Sequence, residues 1–345
     1  DGSIIGGSAT STDDYVVLKA YSSDPDDVTL GNVLNVVVNS AAGTLIYADG
    51  EVVGTIADVG DDDLFIIAPT VSGGEYVTLG DVIIRSTADN AGNGEGDVVG
   101  ISVDAGGNVY VDTGTGADVE GVMIDAGGSV GVGVAIAYDD TLETWVVDTA
   151  TQGNTMNIIG GSIHSGDDVL LNAREQIDGI HVTAVNDIDA NAGTGIVNIG
   201  LVSIAGDITA TTLLGNIVDS TFVTKGADGT VILEAVADDG EIDGDEVVSV
   251  SDITVTAGSF IIDGMYVSEA GSVALTSQNQ SIIETDVVSK TSFAVLNAAQ
   301  YINDADVTAA DYVALNADLD VTNTSVLAGS YVTVNGWNNT QVRSV

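Results

Sequence analysis

Segments of this chain echo one another at a nearly fixed offset. Asp311-Tyr-Val-Ala-Leu-Asn-Ala317 resembles Asp167-Asp-Val-Leu-Leu-Asn-Ala173 and Phe293-Ala-Val-Leu-Asn-Ala298. Val103-Asp-Ala-Gly-Gly-Asn-Val-Tyr-Val111 returns as Ile124-Asp-Ala-Gly-Gly-Ser-Val-Gly-Val132, 21 residues on. A Val or Ile placed five residues ahead of a short apolar alternation recurs at Ile163, Val182 and Val202, and again at Val288, Val307 and Val326, in steps of 19 or 20. A period of about 19–21 residues is that of a solenoid, in which each turn contacts only its neighbours.

Within a repeat the periodicity is two. Val313 and Leu315 fall on one face of a strand, Tyr312 and Ala314 on the other. Gly, Asp, Asn and Ser separate the apolar runs and supply turn residues with positive φ or self-capping side chains. A hairpin sandwich would also need many short strands, but not resemblance between neighbours at a fixed offset; parallel stacking does. The expected fold is therefore all-β, a right-handed parallel β-helix (β-solenoid) of roughly 17 rungs, about 80 Å long at ~4.8 Å per rung. Repeats add turns without adding cores, so residues 1–345 read as a single domain, with less regular rungs in 1–100 and 225–275. Neither end carries an amphipathic helix to cover it, and open strand edges invite end-to-end pairing.

The charge balance narrows the partners. With 52 acidic residues against 6 basic ones the formal net charge is −46, which argues against nucleic acid and anionic lipid and in favour of cations. Screening acts over only about 8 Å at physiological ionic strength, so neighbouring turns repel unless salt or bound cations intervene. The absence of Cys excludes disulfides and thiolate metal sites. No apolar run reaches the 18 or more residues of a membrane helix. An initial Asp rather than Met suggests a processed or truncated chain, which is compatible with removal of an export signal.

The densest acidic segment is Asp238-Asp-Gly-Glu-Ile-Asp-Gly-Asp-Glu246. Asp239, Glu241, Asp243 and Asp245 offer the hard oxygens that suit Ca2+, although Val250 stands where an EF-hand would place its Glu. A solvated acidic loop is the alternative, and Asp61–Asp63 is a weaker version of the same pattern. Phe293, Tyr312 and Tyr331 should form an outward column, either a lateral or partner contact for a sugar or a neighbouring filament, or a ladder stiffening one face. Asn297 and Asn316, with Asn172 in the same setting, suit an amide ladder at a turn. His164 and His181 lie near one rung but in no metal-ligand motif. Sequons at Asn279, Asn323 and Asn338 are candidate glycan acceptors in an exported chain.

The segment from Ile163 to Val334, with phrases such as Val-Thr-Ala-Ala-Asp-Tyr-Val-Ala-Leu-Asn-Ala and Val-Leu-Ala-Gly-Ser-Tyr-Val-Thr-Val, resembles the filamentous-haemagglutinin type of adhesin repeat. The resemblance covers about half the chain and implies a right-handed β-helix displayed outside the cell in adhesion or surface structure. The expected function is an extracellular structural subunit of a cell-surface filament or sheath, self-assembling end to end. An adhesin stalk or passenger fragment is the alternative. A polysaccharide-acting β-helix enzyme is the third reading. It rests on acid pairs such as Asp13-Asp14, Asp26-Asp27, Asp139-Asp140 and Asp167-Asp168, too abundant here to be diagnostic.

Overall fold

A computed structural model describes residues 2–22, 31–87, 96–139, 144–337 and 339–344. Among them every regular element is a strand, and apart from one antiparallel hairpin, Val134–Asp139 with Thr144–Gln152, the strands stack in parallel as a β-solenoid of about 14 turns. No helix long and apolar enough to cross a membrane occurs among the described residues. The turn count falls below the roughly 17 that the period predicts because some turns carry insertions. The chain travels 27 residues between the paired Ser72 and Val99, and 39 between the paired Glu120 and Ile159.

The residues divide into two compact units, Asp1–Arg174 with Ile180–Ala184, and Glu175–Gly179 with Val185–Val345. In the second unit a turn has three strands, as in Ile282–Ile283, Asp286–Ser289 and Ala294–Ala298. The two short strands belong to one sheet and the five-residue strand to another. Alternation sends Ile282, Val287, Ala294 and Leu296 inward, all fully buried. Residues stack on their equivalents, so Leu233, Val255, Leu275, Leu296 and Leu315 form one column in register. The first unit has the same design, with Ile46, Ile66, Ile84, Val111 and Val132 as its matching column.

The corner between the two short strands needs left-handed backbone. In the second unit it is occupied turn after turn by Asn198, Asp219, Gly244, Asp263, Glu284, Asp304 and Asn323, with φ between 51° and 70°. Gly, Asn and Asp tolerate this region best, which accounts for their recurrence there. Corner amides donate to the next turn, as in Asp219 N to Asp243 O at 2.9 Å, Gly244 N to Ile262 O at 3.0 Å and Asp263 N to Ile283 O at 3.1 Å.

A second set of acids precedes the long strands and bonds from turn to turn. Asp187 Oδ1 accepts from Asp207 N at 2.8 Å, Asp207 Oδ1 from Thr230 N at 2.7 Å, and Asp252 Oδ1 from Ser272 N at 2.7 Å. In the first unit Asp63, Asp81 and Asn108 form the same chain, ending on Ser129 N at 2.9 Å. Much of the Asp enrichment is thus backbone capping at corners that would otherwise leave N–H groups unmatched.

The structure moves two expected positions by one residue. Val202 and Val288 are not the inward starts of their turns; Leu201 and Val287 are, paired with Phe222 and Val307. In each case two aliphatics are adjacent, so the pattern alone leaves the face ambiguous, and a one-residue slip inverts it. Around Thr230 to Ser272 the pairing is continuous but the steps are longer: Thr221 lies 25 residues before its partner Glu246, and Val231 22 before Ile253.

Asp207→Ala should lower unfolding stability by roughly 1 kcal/mol, because Thr230 N loses its acceptor. Asp207→Asn, which keeps the acceptor and removes a charge, should be neutral or stabilising at low ionic strength. Urea denaturation of the two variants at two salt concentrations measures the difference.

Candidate functional site

The outer face of the five-residue strands in the second unit carries the ordered surface expected there. Strands Ala294–Ala298, Val313–Ala317 and Val332–Asn335 stack in register. Phe293, Tyr312 and Tyr331 therefore sit above one another. Phe293 and Tyr312 lie with centroids 4.9 Å apart and planes 10° from parallel, and Tyr312 and Tyr331 5.0 Å apart at 3°. These separations follow from the strand spacing, with the rings parallel at the distance the backbone ladder imposes. Phe293 and Tyr312 are half-buried, and Tyr331 is exposed.

Four residues further along the same face, beyond Val295, Ala314 and Thr333, Asn316 Nδ2 donates to Asn297 Oδ1 at 2.9 Å and Asn335 Nδ2 to Asn316 Oδ1 at 2.7 Å. The amide ladder lies within the strands rather than at a turn. Asn172, by contrast, is buried in the first unit.

The acidic segment 238–246 spreads over a corner and two strand starts. Asp239 is exposed, Glu241 and Asp243 are half-buried, and Asp245 is 1% exposed. Among the described residues no three His, Cys, Asp or Glu side chains are grouped so as to hold a metal ion. Burial raises the pKa of Asp243, and the facing carboxylates of Asp219 and Asp263 raise it further.

Asp245 occupies an inward position and accepts from Ser220 N through Oδ1 at 2.7 Å. Its Oδ2, the Tyr266 hydroxyl and the Thr285 hydroxyl are all buried without a hydrogen-bond partner in the protein. Gly264 makes this arrangement possible, since a Cβ there would stand 2.5 Å from the Tyr266 hydroxyl. Burial pushes Asp245 up to about 8 and Tyr266 well above the ordinary phenol value. Asp245 is therefore held as the neutral acid across most of the physiological range.

Other candidates scatter. His181 pairs with Ser162 and His164 with Thr183, both histidines exposed and not opposite one another. Asp167 and Asp168 lie at a corner, where Asp167 Oδ2 accepts from Ser129 Oγ at 3.1 Å. Asn279 and Asn323 are exposed. Asn338, the pair Asp26-Asp27 and the side chains of Asp139-Asp140 lie outside the described residues. The acids at 61–63 serve the fold: Asp62 accepts from the Tyr15 hydroxyl, and Asp63 Oδ1 from Asp81 N at 2.9 Å.

Sequence reasoning missed a surface of the first unit. Tyr15, Tyr21, Tyr47, Phe65 and Tyr138 surround one cleft. The alternation around Val16–Ala20 places Tyr15, Val17 and Lys19 outward together, a signal available in the sequence. Tyr138 comes from an inserted hairpin that no repeat predicts.

Compared with protein-family models, with curated proteins and with solved structures, the chain matches none. The structure shows the β-solenoid fold, which is compatible with structural or adhesin-like roles.

Tyr312→Ala should destabilise the second unit by about 1–3 kcal/mol, having two stacked neighbours, and Tyr331→Ala by about half as much. Chemical denaturation of each variant tests the ordering. Because the folded pKa of Asp245 lies above its unfolded value, this group's contribution to stability is full below about pH 4 and is lost as pH rises through about 8. Asp245→Asn should therefore gain stability relative to wild type between those limits and hold a constant difference above them. Urea midpoints measured from pH 4 to 9 give the curve.

Proposed function

We propose that this chain is a non-catalytic structural protein of the cell exterior, a subunit whose acidic β-solenoid units join through their turn edges into a filament or sheath. The observation that supports this reading is the interchangeability of the turns. Strand pairs such as Val255–Leu275, Leu275–Leu296 and Leu296–Leu315 repeat one geometry, so the upper edge of one turn and the lower edge of another are the same docking surface. A strand edge presents unpaired N–H and C=O groups that another turn satisfies with no change of register.

The charge of −46 sets the condition for such a contact. Two acidic units approach only where salt or divalent cations screen them within about 8 Å. Ca2+ is the cation proposed for this, bound between carboxylates of different copies, with the exposed Asp239 and the half-buried Glu241 among the contributors. Glycans on Asn279 and Asn323 would be carried on the outer surface.

A second reading, an adhesin stalk or passenger segment, is favoured by one feature. The hairpin Val134–Asp139 with Thr144–Gln152 interrupts the repeat of the first unit and builds a local surface that a pure spacer does not need.

Electron microscopy of the purified protein across a Ca2+ series, with a chelated sample at matched ionic strength, separates these readings. Filaments that form with Ca2+ and dissolve on chelation are the expected result. Filaments indifferent to chelation would retain assembly and remove the calcium role. Single particles under every condition would transfer the assignment to the adhesin reading.

A further inference from the structure

The outward face of the first unit's long strands is covered in one part and open in another. The inserted hairpin lies on the sheet, burying Val134 and Ile136 against Ile83, with Phe65, Tyr110, Val147 and Leu170 packed around them. The Arg85 guanidinium donates to the Ile136 carbonyl and fastens the hairpin to the strand beneath. Beside this covered area, strands Val16–Ala20, Thr44–Ala48 and Leu64–Ala68 leave their outward side chains around a cleft of about 620 Å3. Tyr138, on the first strand of the hairpin, contributes to its wall.

The rings of this cleft are held in place before anything binds. Gly43 leaves the room in which Tyr15 lies, since a Cβ there would come within 2.4 Å of the Tyr15 ring. The Tyr15 hydroxyl is anchored on Asp62, a bond that raises the phenol pKa and lowers that of the carboxylate. Tyr21 and Tyr47 pack with centroids 5.7 Å apart at 43°. Burial, then a hydrogen bond to Asp49, raises Tyr47, and Asp49 in turn accepts from Ser22 N at 2.9 Å. Phe65 is fixed by the hairpin core. Yet Tyr15, Tyr21 and Tyr138 remain 58%, 50% and 50% exposed. Preorganised but exposed aromatic surface is the arrangement that binds ligands at low entropic cost.

The charges define the class of ligand. Among the described residues one cation, Lys19, and one anion, Asp63, line the cleft, so that part of its lining is neutral. Asp14, Asp49 and Asp62 stand at its margin, in a chain of charge −46, and repel an anionic ligand. Lys19 opposes a cation placed among the rings, which a cation–π cage would require. What remains is a neutral molecule with apolar faces for the rings and hydroxyl edges for Lys19, Asp63 and the phenols. A pyranose ring has both. The volume lies inside the range of about 300–1,000 Å3 usual for ligand clefts and suits roughly two or three such rings.

We infer that this aromatic cleft is a binding site for a neutral oligosaccharide, stacked on Tyr15, Tyr21, Tyr47 and Tyr138 and oriented by Lys19 and Asp63. The site is independent of assembly through turn edges, and its failure would leave that proposal standing.

The test uses the whole chain with maltotriose, cellotriose, mannotriose and triacetylchitotriose as probes, read by saturation-transfer NMR and titration calorimetry. At least one should bind saturably. Tyr21→Ala and Tyr138→Ala, both at exposed positions, should each weaken it about tenfold, while Tyr331→Ala, outside the cleft, should not change it. Circular dichroism of each variant excludes misfolding as the cause of a loss. No binding by any of the four sugars, or binding indifferent to both cleft variants, would overturn the inference. So would preferential binding of choline or of an acidic trisaccharide, or a cleft whose variants alter only the oligomeric state in sedimentation.

Discussion

The parallel backbone ladder between consecutive turns is the interaction on which the rest of the molecule depends. It sets neighbouring strands about 4.8 Å apart and places every residue over its equivalent in the next turn. From that constraint come the Leu and Ile columns, the parallel rings of Phe293, Tyr312 and Tyr331, and the amide ladder of Asn297, Asn316 and Asn335. No single turn has a closed core. Each buries its aliphatic positions against the turns on either side, so stability is a nearest-neighbour property.

The same ladder explains an acidity that composition alone makes puzzling. Stacked corners need left-handed residues and acceptors for backbone N–H groups, and Asp supplies both with one short side chain. Asp187, Asp207 and Asp252 do the second task, and Asp219, Asp263 and Asp304 the first. Repeating these corners accumulates negative charge as a by-product of folding. The cation dependence proposed for assembly follows from that charge, since it is copies of the chain that must approach one another. Asp245 is the exception, an inward acid whose burial with Tyr266 and Thr285 couples that part of the core to pH.

A flat repeated strand face builds stripes of like side chains, because every turn presents what the last one did. The cleft of the first unit arises where the repeat is broken. The hairpin covers Ile83 and its neighbours, and its edge turns an otherwise flat sheet face into a wall and floor. Gly43 and Asp62 then position Tyr15, a placement that stacking alone would not specify. Regular turns supply the scaffold, and the insertion supplies an individual surface.

Strand periodicity, parallel stacking and the solenoid class were legible in the sequence because a period of two within a period of about 20 admits few other packings. The match of Val103–Val111 to Ile124–Val132 predicted the pairing seen, residue for residue. The aromatic column was legible for the same reason, since register converts a sequence offset into a spatial neighbour. At Leu201–Val202 and Val287–Val288 adjacent aliphatics hid the face, and only the backbone ladder chose between them. Tertiary structure alone decided that Asp239, Glu241, Asp243 and Asp245 part between surface and core, because the left-handed corner at Gly244 breaks the alternation between the strands Ile242–Asp243 and Glu246–Ser249 and leaves Asp245 on the inward side. It alone brought Tyr138 beside Tyr15 and Tyr47, because an inserted hairpin has no repeat partner from which its packing can be read.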